Sequence, residues 1–236
     1  MQKITLEHTE LPYELNEEVK LLRTNLRLCG TEKKVIVLTS TVSGEGKSHV
    51  TIDLARSLTE LDYRVLVIDA DLRKSVLESH VVTGSFKQGL THYLSGQADA
   101  KDVIYSTDTK NLNIIAAGTL APNPSELLSR PRMAELLEMA RQEYDYVLFD
   151  CPPLGMVVDA AVVAQLCDGA ILVVAAGMAK YHAVQDTKEK LENTKCPILG
   201  VVLNKVDRRK NGRYYGYGKY YGYGEYGGYY KKGNNK

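Results

Sequence analysis

The chain has 236 residues, 44% of them hydrophobic, enough to bury one core of ordinary size with appendages. Lys and Arg number 30 against 29 Asp and Glu, so no global charge excess points to a nucleic-acid partner or a membrane surface. Cys29, Cys151, Cys167 and Cys196 show neither C-x-x-C spacing nor the density of a disulfide scaffold, and no run approaches the ~20 apolar residues of a membrane span; the expectation is a cytoplasmic protein with reduced cysteines and no direct membrane insertion.

The first residues interleave Lys3, Glu7, Glu10 and Glu14 with apolar positions, unlike the apolar stretch of a secretory leader. Over residues 16–28, Val19, Leu22 and Leu26 fall at helical spacing with Lys20, Arg23 and Arg27 on other faces, which predicts an amphipathic helix ahead of the core. A β-branched run at 33–39 leads through a Gly-containing loop into a helical pattern at 48–60. Further buried-strand runs follow at 65–68, 112–115, 146–149, 171–174 and 198–203, with helical patterns at 132–144, 157–166 and 181–193 between them. Runs that are apolar throughout, not alternating, imply strands covered on both faces, so the predicted fold class is α/β, a doubly wound and mostly parallel sheet.

After Asp207 the composition changes. Residues 213–232 hold nine Tyr and six Gly, and YYGYGK at 214–219 is repeated as YYGYGE at 220–225. A segment without aliphatic residues builds no core and is expected to be a mobile tail. The expected organisation is an N-terminal helical segment (1–31), a nucleotide-binding core (32–208) and the Tyr/Gly-rich tail (209–236).

The strongest local signal is Thr41-Val-Ser43-Gly44-Glu45-Gly46-Lys47-Ser48, between a predicted strand and helix. Backbone N–H groups of a glycine-permitted loop surround phosphate oxygens, the helix N-terminus adds a favourable dipole, and Lys47 reaches the outer phosphates of ATP. Ser48 supplies a hydroxyl ligand for Mg²⁺. The pattern departs from G-x-x-x-x-G-K-[ST] in having Thr41 at the first glycine position. Asp69 and Asp71 end one strand run and Asp150 ends another, so all three project from the carboxyl edge of a parallel sheet, beside the loop. Asp150 suits the metal role, and Asp69 or Asp71 the orienting or proton-accepting role on an attacking hydroxyl. A strand-ending Asp also serves as a turn or helix cap, a reading that weakens for the three together. Asp159, near a helix start, is a candidate for the metal's water shell, although the helix dipole also accounts for it.

This combination resembles the bacterial tyrosine kinase family, the Walker-motif kinases of capsule and exopolysaccharide synthesis, over nearly the whole chain. STVSGEGKS at 40–48 is similar to the family's Walker A loop, VLVIDADLRKS at 65–75 to its Walker A′ motif, and VLFDCPP at 147–153 to its Walker B strand; Asn123-Pro-Ser-Glu-Leu-Leu128 and the tyrosine-rich tail complete the likeness. The resemblance implies a P-loop NTPase fold, use of ATP and Mg²⁺, and catalytic roles for Lys47, Ser48, Asp69, Asp71 and Asp150, with Arg73 a weaker addition. It implies autophosphorylation of Tyr214, Tyr215, Tyr217, Tyr220, Tyr221, Tyr223, Tyr226, Tyr229 and Tyr230, between subunits. It implies a homo-oligomer, through a helix motif that here reads Glu17, Lys20 and Arg23. Lys20 stands where the family has Arg, Ser43 where it has Pro, and His49, at the far end of the nucleotide loop, where it has Thr. The family's Gram-positive form pairs a separate cytosolic kinase with a membrane-spanning activator of polysaccharide synthesis, whose cytoplasmic tail completes the active site and recruits the kinase to the inner face of the plasma membrane.

Two other classes compete. Asn204, Lys205 and Asp207 spell the N-K-x-D signature of GTPases, but Asp150 is followed by Cys-Pro-Pro instead of D-x-x-G, so Asn204 is assigned to the adenine side of an ATP site. The ATP-dependent positioning dimers, MinD/ParA-like switches, share the fold but carry a signature lysine early in the loop, where this chain has Thr41, Val42 and Ser43. An ATP-gated assembly factor without kinase activity is the remaining alternative.

Overall fold

The computed structural model describes residues 3–7 and 10–207. The expected tail, with its nine tyrosines, lies outside the described residues. In chain order the elements are β1 (Thr5–Leu6), α1 (Tyr13–Leu28), β2 (Val35–Ser40), α2 (Lys47–Thr59), β3 (Val65–Asp69), β4 (Val81–Thr83), α3 (Leu90–Leu94), α4 (Ala100–Val103), β5 (Tyr105–Ser106), β6 (Leu112–Ile115), α5 (Pro124–Leu128), α6 (Pro131–Glu143), β7 (Tyr146–Asp150), α7 (Asp159–Ala164), β8 (Gly169–Ala175), α8 (Tyr181–Glu192) and β9 (Ile198–Asn204).

Seven strands form one sheet in the order β5-β6-β3-β7-β2-β8-β9. All pairings are parallel except β5 with β6. The apolar runs explain this arrangement. Every residue of β2, β3 and β7 is buried, and alternate residues face opposite ways. Val35, Val37, Leu66, Ile68, Val147 and Phe149 join the core under α3, α5, α6 and α7, whereas Ile36, Leu38, Val65, Val67 and Leu148 join the core under α1 and α2. At roughly 1.5–3 kcal/mol for each fully buried aliphatic or Phe side chain, these three strands anchor the fold. The doubly wound α/β prediction agrees with this sheet.

The strand runs are found where the sequence puts them, within two residues. The short pieces β1, β4, β5, α3, α4 and α5, of two to five residues, go unpredicted because so few residues show no period. One consequence is topological. Ile4 and Leu6, in the segment read as preceding the core, belong to it: both are buried, Ile4 N donates to Ser106 O at 3.0 Å, and Leu6 N to Asp108 Oδ1 at 3.1 Å. No helix among the described residues is long and apolar enough to cross a membrane.

Candidate active site

Parallel strands end together, and the ends of β2, β3, β7 and β9 carry the polar groups. The loop between β2 and α2 turns with Gly44 at φ 85° and Gly46 at φ 86°, a left-handed conformation that glycine adopts without steric cost. Its shape is fixed from below by Glu45. This carboxylate is almost wholly buried and accepts from Thr41 N (2.7 Å) and Val42 N (2.9 Å) on one oxygen and from Ala175 N (3.0 Å), at the end of β8, on the other. Asn204 Nδ2, at the end of β9, donates to Glu45 O at 2.9 Å. Glu45 and Asn204, both expected to line the nucleotide, therefore have structural partners inside the loop and its floor.

Lys47 opens α2 and donates from Nζ to Asp150 Oδ1 at 2.8 Å, with Ser48 Oγ at 3.4 Å. Burial works against the Lys47 ammonium, but Asp150 and, more weakly, Asp71 and Asp69 outweigh it and raise its pKa. Asp150 sits opposite Asp69 in the register of β7 and β3, so the two carboxylates stand side by side at adjacent strand ends. Burial, and then the neighbouring Asp150 charge, push the Asp69 carboxyl up to about 8. Asp69 Oδ1 accepts from Asp71 N at 3.0 Å, and the Ser75 hydroxyl donates to Oδ2. Asp71 Oδ1 caps the next turn, accepting from Lys74 N at 2.9 Å and Arg73 N at 3.3 Å. Lys47, Ser48, Asp69 and Asp150 are thus brought together, with Asp71 two residues along the turn.

Other predicted residues lie elsewhere or have other partners. Ser43 and Gly44 are exposed on the outer curve of the loop. His49 is also exposed and meets His80 edge to face, with ring centroids 4.5 Å apart. Arg73 forks onto Asp159, so neither is available in this arrangement to the metal's surroundings. On α1, Lys20 pairs with Glu17 at 2.8 Å on the surface, whereas Arg23 is tied within the chain to Ser57 O (2.5 Å) and Glu60 (2.9 Å) near the end of α2. Gly155 escaped the sequence reading: a Cβ there would lie 2.1 Å from the carbonyl oxygen of Thr41, so the segment after β7 rests directly on the loop. An isolated glycine carries no signal that it does so.

The donor set fits a magnesium-bound nucleotide. Mg²⁺ is ordinarily held by one or two carboxylates plus substrate phosphates and water, not by a closed protein cage. Among the described residues no group of three His, Cys, Asp or Glu side chains could hold a metal by itself. Ser48 and Asp150, with Asp69 adjacent, form an incomplete oxygen set of that kind at a helix N-terminus suited to phosphate.

A family model described as an AAA domain matches residues 33–195. The tyrosine-protein kinase CpsD of Streptococcus agalactiae is 40% identical over 205 residues, covering 86% of this chain and 89% of that protein. The kinase domain of the Escherichia coli tyrosine kinase ETK superposes with a TM-score of 0.79 at 32% identity, covering 87% of this chain and 90% of the other. The septum site-determining protein MinD of Pyrococcus horikoshii, complexed with Mg-ADP, superposes with a TM-score of 0.61 at 25% identity, over 74% of this chain and 71% of the other. The sheet and loop are those of a P-loop NTPase.

Proposed function

The chain belongs to the bacterial tyrosine-protein kinase family, and from that premise we propose that it transfers the γ-phosphoryl group of ATP to tyrosines of its own C-terminal cluster, between subunits of a homo-oligomer. The observation that carries this reading is the meeting of Lys47, Ser48 and Asp150 with Asp69 one strand away. Lys47 neutralises the outer phosphates, and the loop N–H groups and the start of α2 orient them. Ser48 and Asp150 would hold Mg²⁺, which when bound supplies charge neutralisation across the phosphates. The Mg-ADP of the Pyrococcus neighbour supports that choice of nucleotide and metal. Asp69, whose carboxyl is pushed up to about 8, is assigned to orienting the tyrosine hydroxyl and accepting its proton, with Asp71 as its neighbour in the turn.

The acceptors are Tyr214, Tyr215, Tyr217, Tyr220, Tyr221, Tyr223, Tyr226, Tyr229 and Tyr230. β9 ends at Asn204 beside the nucleotide loop, at the edge that holds the chemistry. Tethering supplies a local concentration of order mM, which removes the need for tight peptide recognition. The chain works in the cytoplasm at the inner face of the plasma membrane, recruited and activated by the cytoplasmic tail of a membrane-spanning protein of capsule or exopolysaccharide synthesis. Incubation with Mg-ATP, with and without the cytoplasmic tail of a candidate membrane partner, followed by mass spectrometry of the tyrosine tail tests the reading; labelling is expected to be low without the partner. With it, phosphotyrosine is expected in the wild type and reduced at least ~100-fold in Lys47→Met, by analogy with the loss of other electrostatic transition-state contacts. Labelling that survives Lys47→Met overturns the assignment.

A further inference from the structure

The segment joining β7 to α7 lies against the end of β2 and the nucleotide loop and leads into the residue that contacts the Asp69–Ser75 turn. Thr39, in β2, donates from Oγ1 to Pro152 O at 2.8 Å and accepts from Leu154 N at 3.1 Å. Gly155 then rests on Thr41 O, in the nucleotide loop. Four residues later the segment enters α7 at Asp159, whose side chain is 0% exposed. Both Asp159 oxygens are taken by one guanidinium: Arg73 Nε donates to Oδ2 at 2.7 Å and Arg73 Nη2 to Oδ1 at 3.0 Å. Arg73 belongs to that turn, which is built on the Asp69 and Asp71 carboxylates.

A bidentate Arg–carboxylate pair fixes direction as well as distance. Drawing Arg73 away toward a phosphate would strand the Asp159 charge where water does not reach, which argues against a direct contact between Arg73 and substrate. The pair closes a loop of contacts that runs from the nucleotide loop through residues 152–159 to the Asp69–Ser75 turn.

We propose that Arg73 and Asp159 form a positioning clasp that holds the Asp69–Ser75 turn at the separation from the nucleotide loop at which Asp69, Asp71 and Asp150 act on one magnesium-bound nucleotide. This rests on the assignment of an Mg-nucleotide site above, but not on tail phosphorylation. Neither residue is a catalytic residue: each acts through the carboxylates whose placement it sets.

The test measures binding of a fluorescent ADP analogue in EDTA and in Mg²⁺ for the wild type, Arg73→Gln, Asp159→Asn and the double variant, alongside steady-state ATP hydrolysis. In EDTA the loop alone holds the nucleotide, and affinity is expected to stay within about twofold of wild type in all four. The tightening produced by Mg²⁺ is expected to fall about 10- to 100-fold in each single variant, the range for groups that orient metal ligands. The kcat for hydrolysis should fall in parallel, and KM for Mg-ATP should rise with the lost tightening. The double variant, whose two amides restore an uncharged hydrogen-bonded pair, should be no worse than either single one, because residues acting as a unit are not additive. Arg73→Lys, which keeps a charge over Asp159, replaces Arg73→Gln should that variant not fold. Weakened ADP binding in EDTA would mean that Arg73 touches the nucleotide, and unchanged Mg²⁺ tightening in folded variants would mean that the pair is only structural; either result overturns the proposal. A wild type indifferent to Mg²⁺ overturns it as well, whereas a wild type that hydrolyses Mg-ATP but leaves its tail unlabelled even with the partner's cytoplasmic tail present overturns the kinase reading alone.

Discussion

The two turns that build the site are held by opposite means. The nucleotide loop, Thr41–Ser48, is fixed by a buried carboxylate that takes no part in the proposed chemistry: Glu45 collects three backbone N–H groups from Thr41, Val42 and Ala175. The Asp69–Ser75 turn is folded on the same carboxylates, Asp69 and Asp71, that are proposed to act on substrate. The first loop is therefore a cradle held by a group that stands outside the proposed chemistry. In the second, charge, shape and catalysis are one variable, so a substitution there changes all three at once.

The largest effect expected from this contrast is a pH dependence in the acidic turn. Asp69 has a carboxyl raised from 3.8 to about 8 by burial and by Asp150, so the folded protein retains a proton there that the unfolded chain has lost. The stability contributed by that proton is fully present below about pH 4 and is lost as pH rises toward about 8. Between those limits, stability relative to Asp69→Asn should fall by up to ~1.4 kcal/mol per pH unit and level off above them. Parallel denaturant titrations of the two proteins at half-unit steps measure the difference, and parallel curves from pH 4 to 9 would show that Asp69 carries no such proton.

Glu45→Ala attacks the cradle instead. It leaves three backbone donors without their acceptor, at about 1–3 kcal/mol each where water cannot replace it, so a loss of about 4 kcal/mol is expected. Glu45→Gln should recover roughly half, since its carbonyl oxygen still accepts. Equal losses for Ala and Gln would shift the role of Glu45 from its hydrogen bonds to its charge. Gly155→Ala is next. A Cβ 2.1 Å from Thr41 O must displace one of two main-chain segments, and overpacking of this kind costs about 1–3 kcal/mol. Because the displaced segment is the nucleotide loop, ADP affinity should drop with stability, and a variant that melts lower but binds ADP normally would mean that residues 152–158 yield and the loop does not.

The sequence made some of this legible and hid the rest for identifiable reasons. Strands buried on both faces appear as unbroken apolar runs, and acids that end such runs must meet at one edge; Asp69 and Asp150 are found there in register. Contacts between distant residues leave no such trace. Arg73 and Asp159 are 86 positions apart, and Arg23 finds Glu60 across 37. Glu45 sits at an unspecified position of its motif, so nothing in the pattern says that its side chain faces inward. The near-neutral total charge was also a poor guide, because it sums two unlike parts. Residues 208–236 hold eight Lys or Arg against one Glu, and the preceding 207 residues hold 22 against 28 Asp or Glu, an acidic body followed by a basic end.

The smallest expected effect lies at the position where the loop departs from its usual glycine. Thr41 is 1% exposed, its N–H is bound to Glu45, and its hydroxyl oxygen has no hydrogen-bond partner among the described residues. A buried hydroxyl left unpaired costs about 1–3 kcal/mol relative to a paired one, and replacing it with an apolar group of the same shape is close to neutral or stabilising. Thr41→Val keeps the branched Cβ and removes only the unpaired oxygen. It should therefore leave stability unchanged or raise it by up to about 1 kcal/mol, with ADP affinity within twofold of wild type. Thr41→Ala, which also removes a methyl group from the floor of the loop, should be the less stable of the two. A Val variant more than ~1 kcal/mol below wild type would mean that the hydroxyl has a partner in solution, and the cradle would then be held by more than Glu45.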